Sequence, residues 1–133
     1  MTRHHLFDPG GLPEAIGFSY GAIPAGGRTV HLAGITGHAQ DGSIEDGLVE
    51  QFRRACQSVA RVIVAAGGEP SDLVSMTIYT TDLPSYRASL EELGEGYRAA
   101  FGRHYPPMAL LGIDELVDPK AVVELLCIAV VPE

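Results

Sequence analysis

An α+β sandwich, with two helices packed on one face of a mixed sheet, is the fold this sequence predicts. Three observations carry it. The chain has 133 residues of which 46% are hydrophobic, enough to fill one core. Its apolar residues alternate with period two, switch to helical spacing, and switch back. The resulting order of segments is strand, strand, helix, strand, helix, strand, strand. A single domain over residues 15–133 is expected, preceded by an arm over residues 1–14 that is rich in Gly, Pro and charge and has no period of either kind.

Residues 16–23 and 29–35 read as two strands separated by Pro24-Ala25-Gly26-Gly27, and a β-hairpin is the natural reading of that arrangement. Along the second strand, His31 falls on the side opposite Val30 and Leu32, as a solvated or cross-strand residue. Residues 34–42 form a glycine-punctuated loop carrying Thr36, His38, Gln40 and Asp41, with no phosphate-binding signature. Residues 43–66 are the clearest helix: Leu48, Phe52, Ala55, Cys56, Val59 and Ile63 recur at helical spacing, Ser43 or Asp46 caps the start, and Gly67-Gly68 stops it. Residues 73–81 alternate cleanly, with Val74, Met76 and Ile78 on one face and Ser75, Thr77 and Tyr79 on the other. A second helix starts at Asp82-Leu83-Pro84 and ends near Gly102, with Tyr86, Leu90, Leu93, Tyr97 and Phe101 on one stripe. Gly94 and Gly96 each weaken it by about 1 kcal/mol, so it leans on its packing.

Residues 108–113 and 121–131 are two apolar runs of strand length, and one charge, Glu124, interrupts the second. Such a strand is normally buried on both faces, where an unpartnered carboxylate costs several kcal/mol. Glu124 therefore has a hydrogen-bonding partner, or is protonated, or looks into a wet pocket. With helices on one face only, the other face must meet solvent or another subunit, and its apolar character argues for a subunit.

Composition removes several classes of function. Nine Lys and Arg against 17 Asp and Glu give a net charge of −8, which phosphate backbones and anionic lipids would repel, so neither nucleic acid nor a membrane surface is an expected partner. No apolar run approaches a membrane span and no signal-peptide core is present, which reads as cytoplasmic. Cys56 and Cys127 share no ligand spacing and read as buried thiols. His4-His5 is a weak metal signal without further ligands, and neither a metal nor any other cofactor is expected.

The chain resembles the Rid family, also called YjgF-like proteins. Ala15-Ile16-Gly17-Phe18-Ser19-Tyr20, Ala33-Gly34-Ile35-Thr36-Gly37, Val64-Ala65-Ala66-Gly67-Gly68 and Ile78-Tyr79-Thr80-Thr81-Asp82-Leu83 carry the resemblance. So do Tyr105-Pro106-Pro107, Leu116-Val117-Asp118-Pro119 and residues 123–130. Each is short, and their order and spacing together are specific. The resemblance implies a chorismate-mutase-like fold assembled as a homotrimer around a central barrel, with a small-molecule pocket at each subunit boundary. For the best-known branch it implies hydrolysis of reactive enamines or imines to keto acid and ammonia.

In that branch an Arg clamps the substrate carboxylate in a fork-on-fork contact. The matching residue here is Met108, which has no charge to offer. The branch's pocket Tyr matches Ser19, with Tyr20 beside it; the pocket Cys matches Leu110; the loop's Gln matches Ile35, next to the retained Gly34. The Glu of the last strand is kept as Glu124. The chain thus looks like a branch lacking the Arg, sharing the Gly-x-Thr-Gly loop and the Asp-Pro turn. On this reading Glu124 activates a water, and Ser19, Thr36 or Tyr79 offers a hydroxyl to a neutral or apolar C–N substrate. The alternatives are a trimer that holds a ligand or acts as a chaperone without chemistry, and a purely structural Glu124 bonded to a neighbouring strand.

Overall fold

A computed structural model describes residues 2–133. Its elements are β1 (His5–Phe7), β2 (Gly21–Ile23), β3 (Arg28–His31), β4 (Ile35–Thr36), α1 (Leu48–Ala65), β5 (Leu73–Thr80), α2 (Leu83–Ala88), α3 (Leu90–Phe101), β6 (Met108–Gly112) and β7 (Val123–Val131). The main sheet runs β3-β7-β5-β6, with β4 also paired to β7. β5 and β6 are parallel, and every other pairing in it is antiparallel, so the sheet is mixed as expected. No closed barrel forms among the described residues.

The core lies between this sheet and the helices. β7 is its central strand because alternate residues, Val123, Leu125, Cys127, Ala129 and Val131, face the helices and are all buried. α1 turns Phe52, Ala55, Cys56, Val59 and Ile63 onto them, as its helical spacing requires. α3 adds Leu93, Tyr97 and Phe101. Both cysteines are free and buried, and burial pushes the Cys127 thiol up to about 12.

Four features differ from the sequence reading. The expected hairpin does not form: β2 pairs with β1 in a separate two-stranded sheet, while β3 pairs with β7. The intervening turn is captured by the amino-terminal arm, where the Ala25 N–H donates to His4 Nδ1 at 2.9 Å and Arg3 Nη1 donates to the Gly26 carbonyl at 2.8 Å. The arm is also more than a loop. It contributes β1, and His4 is buried with Nε2 3.1 Å from Asp72 and 2.9 Å from the Val130 carbonyl, so its ring nitrogens serve structure.

The first helix starts at Leu48 rather than near Ser43, because the Ser43 N–H and hydroxyl both donate to the Asp41 carboxylate in a local turn. Neither Ser43 nor Asp46 caps it; Gly47 holds that position without a side-chain bond. The second helix is divided at Ser89, whose backbone (φ −122°, ψ 24°) ends α2 and opens α3. Three helices therefore stand where two were expected, though Asp82 caps α2 as read, accepting from the Ser85 N–H at 3.1 Å and the Ser85 hydroxyl at 2.6 Å.

Candidate functional site

Strand register decides which side chains share a surface, since directly opposed residues point to the same face. Glu124 pairs with Thr36 of β4 on one side and with Tyr79 of β5 on the other. Tyr79 in turn pairs with Leu111 of β6. Thr36, Glu124, Tyr79 and Leu111 thus form one row across four strands, on the face turned away from the helices. Side chains opposed in this way have Cβ atoms about 5 Å apart.

Glu124 is half-buried, and no hydrogen bond or ion pair ties its carboxylate to another group among the described residues. Of the expectations for it, the hydrogen-bonding partner is not found among the described residues. Gly34 makes the space: a Cβ there would stand 2.5 Å from Glu124 Oε2 and 3.0 Å from Cδ. Any larger residue would force the carboxylate off its place.

Behind Thr36 stands a chain of polar groups that the sequence reading missed. Thr36 Oγ1 is 2.6 Å from His38 Nδ1, and His38 Nε2 is 2.7 Å from Asp118 Oδ2. Asp118 accepts from the Lys120 backbone N–H at 2.9 Å, and that bond first, the His38 contact second, holds its carboxyl below the ordinary range. An ionised Asp118 takes the Nε2–H, which leaves Nδ1 to accept the Thr36 hydroxyl proton. The Thr36 oxygen then keeps its lone pairs for a donor on the Glu124 side. Gln51 steadies the Asp118 turn from the core: its amide donates to the Glu45 and Lys120 carbonyls and accepts from the Val122 N–H, each at 2.9 Å. His38 and Asp118 lie 80 residues apart. The loop and the Asp-Pro turn that hold them were visible in the sequence; their contact was not.

The remaining candidates lie elsewhere. Ile35 points to the core beside Leu125. Met108 pairs with buried Met76, and Leu110 with buried Ile78, so both lie on the helix side, Leu110 at its exposed edge. The Ser19 hydroxyl donates to the Tyr105 carbonyl at 2.6 Å, tying its loop to the start of β6. The Tyr20 hydroxyl donates to the Pro13 carbonyl at 2.9 Å and its ring packs edge-on against Phe18. Gly34, Thr36, Tyr79 and Glu124 are together within one chain; Ser19, Tyr20, Ile35, Met108 and Leu110 do not join them. Met108 lines a separate cavity beneath α3.

The mixed sheet with helices on one face is shared with solved structures of the YjgF-like class. Residues 13–131 match the family described as Endoribonuclease L-PSP, and the chain belongs to that family, the YjgF/Rid proteins. It is 30% identical over 122 residues to TdcF of Escherichia coli, named as a reactive intermediate deaminase, covering 89% of this chain and 90% of TdcF. The solved structure of TdcF with bound serine superposes with a TM-score of 0.67 at 27% identity, covering 95% of this chain and 98% of that one. The Rid-family protein YyfB of Yersinia pestis, whose function is unknown, has the same fold, with a TM-score of 0.78 at 22% identity over 98% of this chain and all of its own. Among the described residues no helix is long and apolar enough to cross a membrane.

Proposed function

We propose that this protein is a deaminase-type hydrolase acting on a reactive imine or enamine, working as a homotrimer with its sites along the subunit boundaries. The unpaired Glu124 carboxylate, in register with Thr36 and backed by His38 and Asp118, is the observation that carries this reading. A water between Glu124 and Thr36 Oγ1 donates to both oxygens and keeps a lone pair for the substrate. Its oxygen bonds to the imine carbon as Glu124 takes its proton. Glu124 passes that proton to nitrogen, which gives the neutral tetrahedral carbinolamine. It then takes the carbinol hydroxyl proton and hands it to the nitrogen as the C–N bond breaks, so that ammonia leaves a carbonyl product and the Glu124 carboxylate is restored. Tyr79, on the other side of Glu124, is placed to steady the substrate nitrogen or oxygen.

The deaminase name of TdcF and its bound serine support a small nitrogen compound as ligand. At a subunit boundary, Met108 of a neighbouring copy would bring no charge to it, which favours an imine bound without a carboxylate clamp. The test compares a neutral imine with a 2-imino acid, following ammonia release by the wild type and Glu124→Gln. We expect the neutral imine to be preferred and Glu124→Gln to lose a factor of about 10²–10⁴ in kcat. Full turnover by Glu124→Gln would remove Glu124 from the chemistry; a preference for the 2-imino acid would overturn the reading of Met108. A ligand-holding trimer without chemistry is the second reading. The surroundings of Met108 favour it, because its cavity is lined by neither a carboxylate nor an imidazole.

A further inference from the structure

Thr36, His38 and Asp118 together set the direction of one proton. One Asp118 oxygen accepts the Lys120 backbone N–H at 2.9 Å, and the other lies 2.7 Å from His38 Nε2. An ionised carboxylate has no hydrogen to give, so the proton of a neutral imidazole stands on Nε2. Nδ1, 2.6 Å from Thr36 Oγ1, is then an acceptor and takes the one hydrogen of the Thr36 hydroxyl. What Thr36 shows to the outer face of the sheet is its lone pairs.

Glu124 stands opposite Thr36 in register, and no Arg or Lys is paired with Glu124 or with Asp118 among the described residues. Both walls of the gap are therefore acceptors, and one of them is a carboxylate. Opposed Cβ atoms stand about 5 Å apart and an N–H···O contact spans about 2.9 Å, so one nitrogen can donate to both sides. A carboxylate placed there would be repelled by Glu124 and would leave Thr36 facing another acceptor. The net charge of −8 adds to that repulsion.

We propose that this gap takes a primary ammonium that carries no carboxylate, bound through its N–H donors to Thr36 and Glu124, with Asp118 as the positioning residue that acts through His38. The substrate class follows: the imine of a primary amine, whose N–H is a donor, rather than that of an amino acid. This deepens the reaction proposed above and rests on its placement of the site at Glu124 and Thr36. The ammonium displaces the water that those two side chains hold and so competes with turnover. An amide at position 118 cannot copy the carboxylate. The Lys120 backbone N–H is a fixed donor, so an Asn oxygen stays on it and the NH2 turns to His38. Nε2 then becomes the acceptor, Nδ1 donates to Thr36, and the hydroxyl hydrogen turns toward Glu124, as the wrong tautomer does in other hydroxyl–imidazole–carboxylate relays.

Calorimetric titration of the intact protein with benzylamine, benzyl alcohol and benzoate tests it, at about pH 8, where an imidazole is ordinarily neutral and a primary amine still charged. The three probes share one ring, which suits the exposed Leu111 and Leu126 of that face. Benzylamine is expected to bind about tenfold more tightly than the alcohol, or better, and benzoate not to saturate at millimolar concentration. Asp118→Asn should weaken benzylamine about tenfold and leave the alcohol unchanged, because an alcohol hydroxyl donates or accepts as the site requires. Thr36→Val should weaken benzylamine to the same degree, and Thr36→Ser should restore it. Benzoate binding as tightly as benzylamine, or benzylamine affinity unchanged in Asp118→Asn or in Thr36→Val, overturns the proposal. A parallel loss of amine and alcohol in Asp118→Asn overturns it too, since that is what a merely structural Asp118 would give. Binding here needs no turnover: benzylamine bound as described by a protein that releases no ammonia from any imine would sink the reaction and leave this inference standing, and imine turnover with equal affinity for the three probes would do the reverse.

Discussion

The two faces of β7 carry side chains of similar polarity to different ends. Val123, Leu125, Cys127, Ala129 and Val131 face the helices and are at most 1% exposed, so the chain completes their burial by itself. Glu124, Leu126 and Ile128 alternate with them and face outward, with Leu126 44% exposed and Leu111 on neighbouring β6 45% exposed. Burial inside one chain depends on folding alone. Burial of the outer face needs a second surface, and that face is also where the unpaired carboxylate lies.

Assembly is the property most sensitive to this difference. If copies of the chain cover the outer face, Leu126→Glu sets a second carboxylate two residues from Glu124 on the same surface, and desolvating both is prohibitive. We expect light scattering to find the wild type at three times the chain mass and this variant at 14.1 kDa. A wild type that is already monomeric would remove the contrast between the faces and the subunit-boundary site together.

Adjacent leucines give a smaller and cleaner contrast. Leu125 is 0% exposed, and Leu125→Ala removes a core side chain at a cost of about 2–5 kcal/mol. In the monomeric background of the first variant, truncation at Leu111, exposed on the outer face, should change stability by only about 0.5 kcal/mol. Denaturant midpoints measure both. Equal costs would mean that the outer face is covered by something within the chain.

These contrasts mark what the sequence could and could not disclose. Helical spacing in α1 and alternation in β5 are local patterns, and both elements formed where they were read, the helix starting at Leu48 rather than at residue 43. The hairpin failed because a turn between two short strands does not say which partner each strand takes; Arg3 and His4, from a segment without periodicity, decided it. In β7 both faces are apolar, so the alternation that separates inner from outer residues was masked, and only Glu124 marked the outer one. Register then gathered Thr36 and Tyr79 around it, information held in pairing rather than in any one segment. The His38–Asp118 contact was beyond reach for the same reason, and Met108 was assigned to the site by resemblance, while within one chain its strand turns it to the helix side.

The helix-covered side can be distinguished once more, by pH. His104 is buried, its Nε2 donating to the Leu73 carbonyl at 2.7 Å while Nδ1 has no partner among the described residues. Burial first, with the nearby charge of His4 adding to it, holds the imidazole below its ordinary value of 6.5, more than the Leu73 bond and the Asp72 carboxylate offset. The folded chain therefore binds a proton at His104 less readily than the unfolded chain does. Stability from this group is complete above about pH 6.5 and declines as the pH falls below it toward the lower folded value. The group lies on the covered side, so its effect should be the same in the assembled wild type and in monomeric Leu126→Glu. His104→Gln, whose amide can still donate to the Leu73 carbonyl, should flatten the decline between about pH 7 and about pH 5.5 in urea titrations. The loss should be smaller than that from Leu125→Ala, because a single proton is at stake rather than a core cavity. A decline that persists unchanged in His104→Gln would remove His104 as its source.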